Sequence, residues 1–169
     1  MKRYFLFNLF LLLFFSTSFI TNAHAQELTT FILVRHAEKV DTDDSDPALS
    51  EEGISRALRL DAHLRHTELS AIYSTPFLRT RSTVQPVADT HGLPILDYDP
   101  FSGDLIEELE TSQRGGTILI VGHSNTIPDL VNRLLDSSDM EQLEESEYDK
   151  LFIITVSEIG DGTFLELTY

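Results

Sequence analysis

Arg35 and His36 directly follow a four-residue apolar run, Phe31-Ile32-Leu33-Val34, and His123 follows another, Thr117 to Val121, after a single glycine. Arg79 stands a few residues beyond Ser74-Thr75-Pro76. These residue types suit one chemistry, the handling of a tetrahedral oxyanion. A phosphoryl group in transfer spreads negative charge over its equatorial oxygens, so fixed positive charge and positioning supply most of the catalysis. A guanidinium is always charged and can donate two parallel hydrogen bonds to phosphate. A histidine near neutral pH can present an unprotonated ring nitrogen as nucleophile, provided the other nitrogen donates its proton to a fixed acceptor. Directly after a buried strand, His36 would be held with the rigidity that in-line attack requires. His123, protonated, could bond a phosphate oxygen, and Gly122 before it permits close backbone approach. Ser124, Asn125 and Thr126 add short polar donors at a helix start, a position that favours anions.

The elements that must position these groups follow from the apolar pattern. Continuous short apolar runs indicate strands buried on both faces at Phe31 to Val34, Ala71 to Tyr73 and Thr117 to Val121, with Pro94 to Tyr98 as an edge strand. Between them lie helical stretches: from N-cap Ser50 to about Leu64, with Ile54, Ala57, Leu58 and Leu64 at helical spacing; from Leu78 to Thr90; from Ser102 to Gln113; and after Thr126, where Pro128 falls in the first turn. Asp41 to Pro47 reads as an acidic loop. Lys150 to Val156 and Phe164 to Tyr169 are closing strands around Gly160-Asp161-Gly162. Strands alternating with helices predict a three-layer α/β/α sandwich with a mostly parallel central sheet. Ligands of such a sheet bind beyond the carboxyl ends of its strands, where Arg35-His36, the loop before Arg79, and His123 should converge.

The 169 residues suffice for one domain. Residues 1–25 read as a secretory leader instead: Lys2 and Arg3, an apolar run from Tyr4 to Phe15 broken by Asn8, then Ala23-His24-Ala25 before Gln26. The expected domain is therefore 26–169, exported to a periplasm or the outside, without stable membrane association once the leader is removed. Without Lys2 and Arg3 it has 10 basic against 28 acidic residues, a formal charge of −18. Such a surface disfavours nucleic acid and anionic membranes, whose affinity depends on Lys and Arg. Cysteine is absent, which removes disulfides, thiolate metal sites and a cysteine nucleophile together.

Three stretches together resemble one family. Leu33-Val34-Arg35-His36-Ala37-Glu38-Lys39 resembles the Arg-His-Gly/Ala signature of the histidine phosphatase superfamily, also called phosphoglycerate mutase-like. Tyr73 to Thr83, with its Ser-Thr-Pro turn, Arg79 and Thr83, is similar to that family's second block, and Val121 to Thr126 to its third. The resemblance implies a phosphoglycerate mutase-like fold and a phosphatase that hydrolyses a phosphomonoester or phosphoramidate. It implies His36 as the phosphorylated nucleophile, Arg35 and Arg79 as ligands of the phosphoryl oxygens, His123 assisting them, and no cofactor or metal. Alternatives are a mutase-like phosphotransferase, disfavoured by the short interval from Pro86 to Gly116, and a non-catalytic phosphate-binding module.

The same short interval leaves the proton donor to the leaving group open. Asp99, Asp104, Glu107 and Glu108 are available, the last two reading more simply as the polar face of a helix. A good leaving group would need no strong acid. Arg81, two residues beyond Arg79 on a helix, should face elsewhere. Gly122-His123-Ser124 lacks the second glycine of a serine-hydrolase elbow, and Asp41, Asp43, Asp44 and Asp46 lack the turning glycine of a calcium loop. His63 and His66 read as an exposed helix face. The sequence leaves open whether Glu147-Tyr148-Asp149 packs over the site, and it expects a small phosphorylated ligand as partner without indicating an oligomeric state.

Overall fold

Alternation along the strands explains the layering. In the computed structural model, which describes residues 27–169 apart from the side chains of Asp104 and Glu110, β1 (Thr29–Arg35) lies at the centre of a six-stranded sheet. The leader expected over residues 1–25 lies outside the described residues. Successive side chains of a strand point to opposite faces. Phe31 and Leu33 accordingly join one hydrophobic cluster, and Ile32 and Val34 join another. The first cluster is roofed by α3 (Asp104–Ser112) and α4 (Thr126–Leu135), through Leu109, Ile127, Leu130 and Leu134. The second is roofed by α1 (Glu51–Leu64) and α2 (Leu78–His91), through Leu60, Leu64, Val84 and Val87. The result is the expected α/β/α sandwich.

The remaining strands are β2 (Ala71–Ser74), β3 (Ile95–Asp97), β4 (Thr117–Gly122), β5 (Lys150–Glu158) and β6 (Asp161–Thr168), and the sheet order is β3-β2-β4-β1-β5-β6. The first four in that order are parallel, and the two closing strands run antiparallel. Register decides where the chemistry falls. Arg35 pairs with Gly122 across β1 and β4, while Ser74 pairs with Val121 across β2 and β4. His36, Thr75 and His123 are therefore the first residues beyond three adjacent strand ends. The ladder even continues one step, with His36 N–H donating to Gly122 O at 2.9 Å.

α1 begins where expected: the Gly53 N–H donates to the Ser50 hydroxyl at 3.1 Å, and Glu51 and Glu52 lie in its first turn. Its buried face differs from the expected one. Ile54 and Leu58 are 53% and 57% exposed, and the face turned inward is Gly53, Arg56, Ala57, Leu60 and Leu64. Two contacts set that rotation. Gly53 lies so near the Glu38 carbonyl that a Cβ there would come within 2.0 Å of its oxygen. The Arg56 guanidinium, meanwhile, forks onto the Glu38 carboxylate and donates to Tyr169 O at 2.9 Å. Among the described residues no helix is long and apolar enough to cross a membrane.

Candidate active site

His36 is buried, and its Nδ1–H donates to the carbonyl of Ala37 at 2.8 Å. A neutral imidazole has one N–H, so this bond leaves Nε2 with a free lone pair. The ring stays neutral over a wide range. Burial pushes its pKa down to about 4; the Ala37 bond opposes this, and the charges of Arg35, His123 and Arg79 add to it. The turn is held in place from α2: Ala37 N–H donates to Thr83 Oγ1 at 2.9 Å, and the Thr83 hydroxyl donates to Arg79 O at 2.7 Å.

The His123 ring stands edge-on to that of His36, with centroids 5.5 Å apart. Gly122 is required here: a Cβ at that position would meet the Thr126 hydroxyl at 2.6 Å and the Tyr98 hydroxyl at 2.8 Å. Hydroxyl protons fix the tautomer of His123. The Thr80 hydroxyl donates to the carbonyls of Thr75 and Phe77, at 2.7 and 2.9 Å, and the Thr75 hydroxyl donates to Thr80 Oγ1 at 3.1 Å. With its one proton committed, Thr75 Oγ1 accepts at 2.9 Å from His123 Nε2–H. Nδ1 of His123 then carries the lone pair. Burial lowers the pKa of this ring to about 4 as well, assisted by the charges of Arg79 and Arg35.

Both arginines face these rings but are held differently. Arg35 is 2% exposed. Its Nη1 donates to the carbonyls of Glu144, Glu145 and Glu147, at 2.8, 3.2 and 3.4 Å, and its Nη2 to the Glu145 carboxylate at 3.1 Å. Tyr148 stacks on it, 4.1 Å from guanidinium carbon to ring centroid, and stands 5.9 Å from the His36 ring. The acidic segment before β5 is thus a strap over His36. Among the described residues no acceptor reaches the buried Nε of Arg35, a donor that an oxyanion would satisfy. Arg79 is partly exposed and its Nη1 lies 3.4 Å from Asp46. That same carboxylate accepts from Leu78 N–H at 2.9 and 3.0 Å, capping α2 from the 41–47 loop because Phe77 has no side chain able to do so.

A cleft of about 650 Å³ opens beside His123 and Arg79 and is also lined by Asn125 and Asp99. Of the four candidate proton donors, Asp99 alone is placed there. Glu108 accepts from the Tyr73 hydroxyl at 3.1 Å, Glu107 is exposed on α3, and the Asp104 side chain lies outside the described residues. Ser124, expected beside the anion, does not line this cleft, and its carbonyl accepts from Leu143 N–H at 2.9 Å. Arg81 turns away, as its spacing implied, and pairs with Asp97. Sequence reasoning missed the partners Thr75, Thr80, Asp46 and Glu145, while Tyr148 belongs to the segment whose packing over the site the sequence left open. Only the threonines left a signal, their clustering within nine residues of a single turn and helix start.

Comparison with known proteins agrees with this geometry. Residues 31–101 match the model of the histidine phosphatase superfamily (branch 1). Phosphoserine phosphatase 1 of Hydrogenobacter thermophilus is 33% identical over 96 residues, which is 48% of this chain and 46% of that protein. The chain thus spans about half the length of this curated relative. The fold is shared with the protein histidine phosphatase SixA in complex with tungstate, at 21% identity and TM-score 0.67 over 82% of this chain and 96% of that one. It is shared equally with a mycobacterial glucosyl-3-phosphoglycerate phosphatase, at 14% identity and TM-score 0.67 over 84% and 98%. The family model thus matches along the segment that carries Arg35, His36 and Arg79, and the shared fold continues through His123.

Proposed function

We propose that the protein is an exported, metal-independent phosphatase that hydrolyses a phosphomonoester or phosphoramidate through a phosphohistidine on His36. One observation carries the reading: a neutral His36 ring with Nδ1 engaged by Ala37 stands in the field of two arginines and against a second histidine. Nε2 attacks phosphorus in line, forming the N–P bond as the bond to the leaving group breaks. Arg35 and Arg79 neutralise the equatorial oxygens, and His123, charged once the dianion is bound, donates to one of them. The leaving group takes its proton from water. Water then attacks the phosphohistidine and phosphate departs. The two guanidinium groups fill the role a metal would otherwise have, and the leader-like start of the sequence supports export.

The test is turnover of a simple phosphomonoester in the presence of EDTA, together with acid-quench detection of an acid-labile phosphoenzyme. His36→Ala should remove both signals, with activity down by at least about 10³-fold, as expected when a covalent route is lost. Activity surviving in His36→Ala, or lost to EDTA in the native protein, would refute the reading.

A further inference from the structure

The cleft beside His123 and Arg79 carries information about what is attached to the phosphoryl group. Aromatic rings make up much of its wall: Phe77, Tyr98 and Phe101, with Pro76 and Pro100 between them. Tyr98 is nearly buried, its hydroxyl donating to Val121 O at 3.2 Å, so the ring offers a fixed floor. Phe77 is pinned between the two phosphate-handling groups, edge-on to the His123 ring at 5.2 Å and 4.5 Å from the Arg79 guanidinium carbon. Phe101 is 82% exposed, the highest value among the large apolar side chains described. An exposed phenyl ring that lines the same cleft as fixed aromatic surface gains from any flat apolar group that packs against both.

Charge narrows the class further. Asp97 and Asp99 line the same cleft, and its basic lining side chains among the described residues, Arg79 and His123, are both committed to the phosphoryl group. Arg81 is already paired with Asp97, and Arg133 lies in the adjoining hollow together with Asp129. A substrate with a second anion near the reacting phosphate would meet the unpaired Asp99 carboxylate and, among the described residues, no uncommitted cation in this cleft.

We infer that the substrate's leaving group is a flat aromatic moiety without a second negative charge, packed against Phe101 and the Phe77–Tyr98 wall. This rests on the phosphatase reading of the same site. The test compares kcat/KM of the purified protein for methyl phosphate, 2-naphthylmethyl phosphate and phosphoglycolate, all of which leave as alkoxides, so intrinsic reactivity does not mask recognition. Naphthylmethyl phosphate should be preferred over methyl phosphate by about tenfold or more, the effect of one to two aromatic contacts. Phosphoglycolate should be no better than methyl phosphate. Phe101→Ala should bring the naphthylmethyl-to-methyl ratio toward one, chiefly through KM, and Phe101→Tyr should keep it. Binding of the non-hydrolysable 2-naphthylmethylphosphonate and methylphosphonate, measured by calorimetry, should show the same order. Equal use of the methyl and naphthylmethyl esters, a preference for phosphoglycolate, or an unchanged ratio in Phe101→Ala overturns the inference. If no ester is hydrolysed, the phosphomonoesterase form of the reading fails, and the phosphonate affinities still decide the question of the cleft.

Discussion

Hydroxyl protons at Thr75 and Thr80 decide what His123 can do. Because Nε2–H is committed to Thr75, the ring can donate from Nδ1 only when charged, and its pKa is held down to about 4, mainly by burial. A bound dianion offsets the two arginines that repel the proton and supplies an acceptor, so binding should take up a proton wherever the pH lies between 4 and the raised value. Sulfate, dianionic throughout, reports this without titrating itself. Its competitive inhibition constant should weaken by up to about tenfold per unit of rising pH over roughly pH 5 to 8, and His123→Asn should flatten the dependence. A native inhibition constant independent of pH would show that His123 stays neutral in the complex. His36, Arg35, Arg79 and His123 were legible in the sequence because each follows a strand end or opens a helix. The protonation logic was not, since it depends on which hydroxyl donates to which, a property of three-dimensional proximity between Thr75 and a residue 48 positions away.

Two acidic segments, the 41–47 loop and the strap before β5, each place a carboxylate on one of the two arginines of the candidate site. The strap's Glu145 is exposed while Arg35 is buried, so the pair adds little to stability, about 0–1 kcal/mol, yet it leaves a negative charge beside the guanidinium. Glu145→Gln should therefore leave the melting temperature nearly unchanged and tighten sulfate binding about two- to fivefold, the effect of one screened charge a few ångströms away. Weaker sulfate binding in this variant would mean that the carboxylate serves to orient Arg35. In the sequence the 41–47 loop reads as a solvated acidic loop, and the packing of Glu147-Tyr148-Asp149 over the site stays open, because their partners lie far away along the chain. The reverse error occurred in α1, where spacing alone put Ile54 and Leu58 inward. The close approach at Gly53 and the Arg56–Glu38 pair turn the helix instead, and neither leaves a mark in hydrophobic periodicity.

At the scale of the whole molecule, continuous apolar runs alternating with helical stretches made the three layers readable, while the order β3-β2-β4-β1-β5-β6 was not, because pairing partners are chosen across long sequence separations. Net charge operates at the same scale. Residues 26–169 carry a formal charge of −18, and a dianionic substrate approaching from a distance meets that field before it meets Arg79. The two contributions are screened unequally: at about 0.15 M ionic strength the Debye length is about 8 Å, which removes most of the long-range repulsion but little of the contact between a largely buried guanidinium and an oxyanion. Raising KCl from about 10 mM to about 150 mM should accordingly increase kcat/KM for a dianionic phosphomonoester, with kcat nearly constant. Stopped-flow or steady-state measurement at limiting substrate would show the rise, and an uncharged competitor should bind with no such dependence. A monotonic fall of kcat/KM from the lowest salt would mean that the pocket's local positive potential extends past the acidic surface and governs the encounter.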